Sequence, residues 1–242
     1  MSTSPLGRVV FLSVFLVLIC APAVRAEPYW IAYEGDVFPE EDGWDRHYGD
    51  GHEPPESFAE RSIEDGIFVL DSLHDDQIHD YYMIERQVDP APGEMFVGEW
   101  RAKVDPGSGI VDTGIGVARD SPPGHVEFHL TPDGVYIGNV VFPFAFIPYE
   151  PDVFHEFVFR SEDMQSFELE LDGALVYTGP FDDNSLLSGF FGFGDGATGD
   201  ASRQSWDYVR FGVVPEPASQ LGTLLLFSFS RTAVRGSRIG RR

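Results

Sequence analysis

The stretch from Gly124 to Val140 reads GHVEFHLTPDGVYIGNV. Apolar and polar residues alternate on both sides of a Thr-Pro-Asp-Gly turn. A period of two puts Val126, Phe128 and Leu130 on one face of a strand and His125, Glu127 and His129 on the other. The turn then sends the chain back antiparallel. The pattern recurs along the chain. MFVGEWRAKV, from Met95, places Phe96, Trp100, Ala102 and Val104 on one face, and Trp100 and Trp206 read as core residues. Asp172-Gly173 joins SFELEL to ALVYTG as a tight hairpin. GIGVAR, from Gly114, is broken by glycine, as where backbones approach closely. Long helical periodicity is absent. About ten to twelve short strands separated by Gly, Pro, Asp and Asn predict an all-β antiparallel sandwich. The Gly-, Pro- and acid-rich stretch from Glu34 to Ser62 reads as a loop laid over a sheet.

The two ends differ from this central domain. Arg8, the apolar run Val9 to Cys20, and Val24-Arg25-Ala26 have the order of a secretory signal peptide cleaved after Ala26. The apolar run is too short for a membrane span. Cys20, the only cysteine, lies before the cleavage point, so neither disulfides nor thiol chemistry are expected in the mature protein.

Residues 27–212 carry 39 Asp and Glu against 9 Lys and Arg, a net charge of 9 − 39 = −30 with His neutral. Such a surface repels nucleic acid and favours solubility and divalent cations. It does not imply disorder: Phe, Trp and Tyr make up 14% of the chain and recur in periodic patterns, enough to support a core.

FHEFVFRSEDMQSFELELDGALVYTG resembles the hairpin of the concanavalin A-like, laminin-G-like jelly-roll superfamily. GFFGFGDGATGDASRQSWDYVRFG resembles the closing strands of the same domains. The resemblance covers Gly66 to Gly212 and implies two antiparallel sheets packed face to face. It implies no ligand, because the fold hosts lectins, glycosidases and structural modules.

The C-terminal segment, 213–242, resembles the PEP-CTERM sorting signal of Gram-negative bacteria, which an exosortase recognises. Val214, Pro215, Glu216, Pro217, Ala218 and Ser219 match the motif, followed by the apolar Leu221 to Phe229 and an arginine-rich end. The prolines hold the chain extended and open to a protease. The apolar part counts thirteen residues even from Ala218 to Ser230, against about 20 for a full span. The expected route is export through the Sec machinery, cleavage by signal peptidase, and transient attachment to the inner membrane by the tail. Exosortase processing would then leave the protein at the periplasmic or outer surface, or in the extracellular matrix.

Within the domain, Glu168, Glu170 and Asp172 alternate on one strand face. The resemblance implies a candidate catalytic acid and nucleophile there, since some glycosidases of that superfamily carry such an alternation, though as Glu-x-Asp followed by Glu in an aromatic cleft. The run ends in an Asp-Gly turn, which favours a solvated strand face. His125, Glu127 and His129 could hold zinc or form an exposed polar face. His74, Asp75, Asp76, His79 and Asp80 could gather a cation or form a charged loop. Asp195 and Asp200 are further acids near the last strand. By analogy with jelly rolls that hold a structural Ca²⁺ between first and last strands, Glu34 or Asp36 with Asp207 are the candidate ligands. Trp30, Trp44, Tyr48 and Tyr149 fall in loop-like stretches, and the last three are the candidates for stacking on sugar rings. No phosphate-binding Gly-rich loop, Ser-His-Asp motif or CxxC pair is present.

The sequence therefore predicts an exported surface or matrix protein, non-enzymatic, binding carbohydrate such as exopolysaccharide or serving as structure. A glycoside hydrolase or lyase using Glu168 and Glu170, and a purely structural module without ligand, are the alternatives.

Overall fold

The structure is a computed structural model. It describes residues 31–47, 59–73, 80–85, 90–109, 114–119, 123–138, 143–182, 189–196 and 201–215. The signal peptide with its cleavage point at Ala26, Trp30, Tyr48, His74 to His79, Asp200 and the tail from Glu216 onward lie outside these residues.

Fifteen strands are present among the described residues. They are β1 (Ile31–Tyr33), β2 (Asp45–His47), β3 (Glu60–Glu64), β4 (Ile67–Asp71), β5 (Asp80–Glu85), β6 (Glu94–Val104), β7 (Ile115–Arg119) and β8 (Gly124–Thr131). The second half holds β9 (Gly134–Gly138), β10 (Pro143–Pro148), β11 (His155–Ser161), β12 (Ser166–Leu171), β13 (Ala174–Pro180), β14 (Phe190–Asp195) and β15 (Arg203–Pro215). They form two antiparallel sheets. The back sheet runs β13-β12-β11-β6-β15-β4-β3, with β1 also pairing β15. The front sheet runs β10-β9-β8-β7-β14-β5-β2. This is the expected sandwich.

The core forms where the inward alternations of the two sheets meet. Phe96 of the back sheet stacks on Phe191 of the front sheet at 5.0 Å, and Phe193 meets Trp206 at 5.0 Å. Within the back sheet, Trp100 stacks on Phe157 at 5.4 Å. Each buried ring contributes about 1.5–3 kcal/mol of apolar transfer and forms the edge and offset contacts that aromatic quadrupoles favour. Turn chemistry sets the register: Asp172 and Gly173 both have positive φ, 51° and 77°, as a two-residue turn between β12 and β13 requires.

Two features depart from expectation. The stretch Glu34 to Ser62 is not only a covering loop. It contains a 3₁₀ turn at Pro39–Asp42, supplies β2 as an edge of the front sheet, and leads into β3 as an edge of the back sheet. The last strand also runs past Gly212. Val213, Val214 and Pro215 pair with Phe96, Met95 and Glu94 of β6. Val213 packs on the main core, and Val214 joins Met95, Val97 and Val158 on the outer side. Strand β6 supplies the pairing partner here, and Pro215 stands at the last position of β15, where a missing N–H costs least.

Candidate active site on the front sheet

Along β8, β7, β14 and β5 the inward residues are Phe128, Val117, Phe191 and Tyr82, all buried in the core. The other face of the same strands carries His125, Glu127 and His129, then Gly116 and Ala118, then Phe190 and Gly192, then Tyr81 and Met83. Gly116 pairs with Glu127 on one side and with Gly192 on the other. The two glycines leave a bare strip of backbone, and Tyr81 lies down on it. A methyl group on Gly116 would fall 2.5 Å from the Tyr81 hydroxyl, and one on Gly192 would overlap its ring. Phe190, Ala118 and Met83 pack around that ring.

Tyr81 is only 7% exposed, and its hydroxyl is buried against the Gly116 backbone with no side-chain hydrogen-bond partner. Burial pushes that hydroxyl well above the usual tyrosine range, and the charge of Glu127 pushes it further in the same direction. The phenol therefore holds its proton beside a carboxylate.

Glu127 is flanked on its own strand. His129 is 1% exposed, and its Nε2 lies 2.6 Å from the Gly138 carbonyl and 3.4 Å from a Glu127 oxygen. A carbonyl can only accept, so Nε2 carries the proton. His125 is half-buried, and its Nδ1 makes no hydrogen bond. The alternation of HVEFH was legible in the sequence. Its outward side is a half-covered cluster, not an exposed polar face, because the glycines of β7 and β14 let neighbouring rings lie flat beside it. Among the described residues, no group of three or more His, Cys, Asp or Glu could hold a metal ion.

Most other candidate residues occupy structural positions. Trp44 is 2% exposed, packs edge-on against Phe193 at 4.9 Å and belongs to the core, not to a sugar-binding loop. Tyr149 is half-buried, donates its hydroxyl to the Thr131 carbonyl and lies beside His155 at 4.4 Å with the rings tilted by 33°. Glu34 accepts two hydrogen bonds from Arg210, and Asp207 pairs with Arg101. Arginines thus hold two of the three carboxylates suggested for calcium, and Asp36 stands exposed. Asp80 is not a loop residue: it opens β5, fully buried, and binds Arg46. Glu168 and Glu170 lie on the outer face of the back sheet. Glu170 pairs with Arg160, and Glu168 lines a polar depression of about 210 Å³ with Arg160, Glu162 and Thr178. Among the described residues, the one ring lining it, Phe167, is buried in the core, and no aromatic cleft surrounds these acids.

The sequence reading missed two exposed rings on the front sheet. Phe144 and Phe146 of β10 are 45% and 40% exposed. A methyl group on Gly138 would fall 2.8 Å from Phe144, and one on Gly134 would overlap the ring of Phe146. Each ring therefore lies over a glycine. The available signal was the pair of glycines in GVYIG opposite two phenylalanines in PFAFIP.

No protein-family profile matches the chain, and no curated protein matches it in sequence. Solved structures do match. A carbohydrate esterase from the Shiga toxin-encoding bacteriophage phi24B superposes with a TM-score of 0.53 at 11% identity, over 78% of this chain and 99% of that one. An endo-1,3-β-glucanase from Streptomyces sioyaensis superposes with a TM-score of 0.50 at 14% identity, over 78% and 96%. These likenesses establish the concanavalin A-like jelly-roll fold. They also overturn the expectation of a non-enzymatic module, since solved structures with this architecture include enzymes that act on glycans.

Proposed function

We propose that this chain is a glycan-active enzyme that works on the front sheet, with Tyr81 as proton donor and Glu127 as proton acceptor. Breaking a glycosidic bond by hydrolysis needs a proton for the leaving oxygen and a base to activate water. Breaking it by elimination needs a base to take a proton from sugar carbon and an acid for the same oxygen. Both routes need one group that keeps its proton next to one that accepts one. The observation that carries the reading is the buried Tyr81 hydroxyl laid across Gly116 beside Glu127, with no side chain bonded to it. The carbohydrate-directed activities of the glucanase and the esterase that share the fold support it. The Glu168 and Glu170 alternative lacks both an enclosed cleft and a free pair of acids, because Glu170 is tied to Arg160.

The test incubates the full chain with a panel of polysaccharides and follows new reducing ends and unsaturated products. Tyr81→Phe and Glu127→Gln are each expected to lower turnover by about 100-fold or more, while Glu168→Gln leaves it unchanged. Turnover lost in Glu168→Gln and kept in Glu127→Gln would sink the assignment, as would a wild-type protein that turns over no glycan.

We also propose that the protein is exported and processed at its Pro-Glu-Pro motif. The signal-like N-terminus, the motif and the basic end support this. Of the motif, Val214 and Pro215 belong to β15. Mass spectrometry of the exported protein decides: a C-terminus still ending at Arg242 removes the processing step.

A further inference from the structure

The front face has a second feature that acid-base chemistry does not use. Phe144 and Phe146 present exposed rings, and Tyr136 stands beside Phe146 at 4.6 Å between ring centroids. Large exposed rings are normally turned edge-in or covered. Here each lies over a glycine, Phe144 over Gly138 and Phe146 over Gly134, where any side chain would collide with the ring. A flat open aromatic face matches the C–H face of a pyranose ring. The position is also apt. Phe146 pairs with Tyr136, and Tyr136 pairs with His129 on the strand of Glu127. From β10 to β8 is two strand spacings, about 10 Å, so a short oligosaccharide spans from these rings to the acid-base pair.

The charges select among glycans. Residues 27–212 contain nine Lys and Arg, and eight of them are described. Arg46, Arg61 and Arg119 point between the sheets, onto Asp80, Tyr82 and the Met164 carbonyl. Arg101, Lys103, Arg160, Arg203 and Arg210 lie on the back sheet, each paired with a carboxylate. Among the described residues, none of these cations stands on the outer face of the front sheet, which carries Glu127, Glu85 and Asp45. A polyuronate brings a carboxylate with each sugar and needs a cation to meet it. The domain's net charge of −30, from 9 − 39, repels such a chain as well.

We propose that Phe144 and Phe146, flanked by Tyr136, are the sugar-stacking subsite of this site, and that the glycan it takes is uncharged, which leaves hydrolysis as the route because elimination needs a uronate carboxyl to acidify the ring C–H. The inference rests on the front sheet being the working face. Its test is kept separate by measuring binding instead of turnover. The full chain is run through native gels containing a neutral β-glucan, a galactomannan, alginate or polygalacturonate, alongside Glu127→Gln and the Phe144→Ala/Phe146→Ala double variant. At least one neutral polysaccharide is expected to retard the wild type and Glu127→Gln equally. The double variant, folded by circular dichroism, should bind it about tenfold or more weakly, a loss of about 1.4 kcal/mol. Retardation by the uronate polymers alone would overturn the substrate class. Unchanged retardation of the double variant, or no retardation in any gel, would overturn the platform while the turnover assay still decides on Tyr81 and Glu127. A wild type that runs as a dimer in gel filtration and becomes a monomer in the double variant would reassign the rings to a contact between two copies.

Discussion

Asp80 and Asp195 stand opposite each other across β5 and β14, both fully buried, and are answered by different partners. Arg46 grips Asp80 through Nε at 2.5 Å and through Nη2. The Ser72 and Ser202 hydroxyls each donate to Asp195 at 2.9 Å. The Ser202 hydroxyl also accepts a hydrogen bond from Gln204, whose side-chain oxygen accepts from Trp206. One end of the sandwich is thus closed by polar groups that only a complete set of partners can stabilise.

Removing one partner of a buried pair costs more than the pair contributes, because the other charge stays buried. Arg46→Ala is therefore expected to lower unfolding free energy by about 3–5 kcal/mol. Arg46→Lys should fall between the two, since a lysine keeps the charge and loses the fork. Urea unfolding followed by tryptophan fluorescence measures both. A cost below that of an ordinary surface substitution in Arg46→Ala would contradict the pairing.

Trp44 separates the two readings of the Asp42–Asp45 segment. As a core residue its replacement by alanine should cost about 3–5 kcal/mol of stability. Any loss of glycan binding by Trp44→Ala should then track the unfolded fraction. Weakened binding at unchanged stability would return Trp44 to the ligand.

Gly192→Ala tests the bed on which Tyr81 lies. The added methyl overlaps the Tyr81 ring, which must lift away from Gly116 and Glu127. Overpacking of this kind costs about 1–3 kcal/mol, and turnover should drop about as far as in Tyr81→Phe. Gly107→Ala, which has open space at its Cβ, should change neither. A Gly192→Ala protein with full turnover would show that the position of the Tyr81 hydroxyl does not matter.

Alkaline pH should destabilise the fold. Burial is the largest cause of raised hydroxyl pKa values at Tyr33, Tyr81, Tyr82, Tyr149 and Tyr208. In the unfolded chain these groups ionise near the ordinary value of about 10. Above that pH the unfolded state binds fewer protons than the native state, so unfolding free energy falls as pH rises. The stability is fully present below pH 10 and declines above it. Phenolate absorbance should therefore stay low past pH 10 for these residues and rise together with loss of secondary structure. Full tyrosine ionisation at pH 10 in a still-folded protein would contradict the burial.

Much of the sandwich was legible because its signals are local. Val126, Phe128 and Leu130 announce an inward strand face by alternation alone, and the Asp172-Gly173 turn announces its hairpin. The site was less legible because it depends on which strands lie side by side. In DYYMIE the alternation shows that Tyr81 and Tyr82 face opposite ways, but not which one enters the core. Gly116 and Gly192 read as interruptions of strands, while their role is to leave room for a ring contributed from another strand. The prolines of PFAFIP argue against a central strand. They are compatible with the edge position that β10 occupies, with Pro143 and Pro148 at its ends. Trp44 misled because its neighbours Asp42, Gly43 and Asp45 are loop-like, while the indole crosses inward between the sheets.

The extension of β15 to Pro215 has a mechanical consequence. Eleven residues of β15, from Gln204 to Pro215, pair with β6 at the centre of the back sheet. A pull applied beyond Pro215 is directed along that strand. It loads the β6 ladder in shear, so the hydrogen bonds must give way together and cannot be unzipped one at a time. A domain tethered through this end would hang from its best-anchored strand, and drag on a polymer held by the front sheet would be borne by the opposite layer.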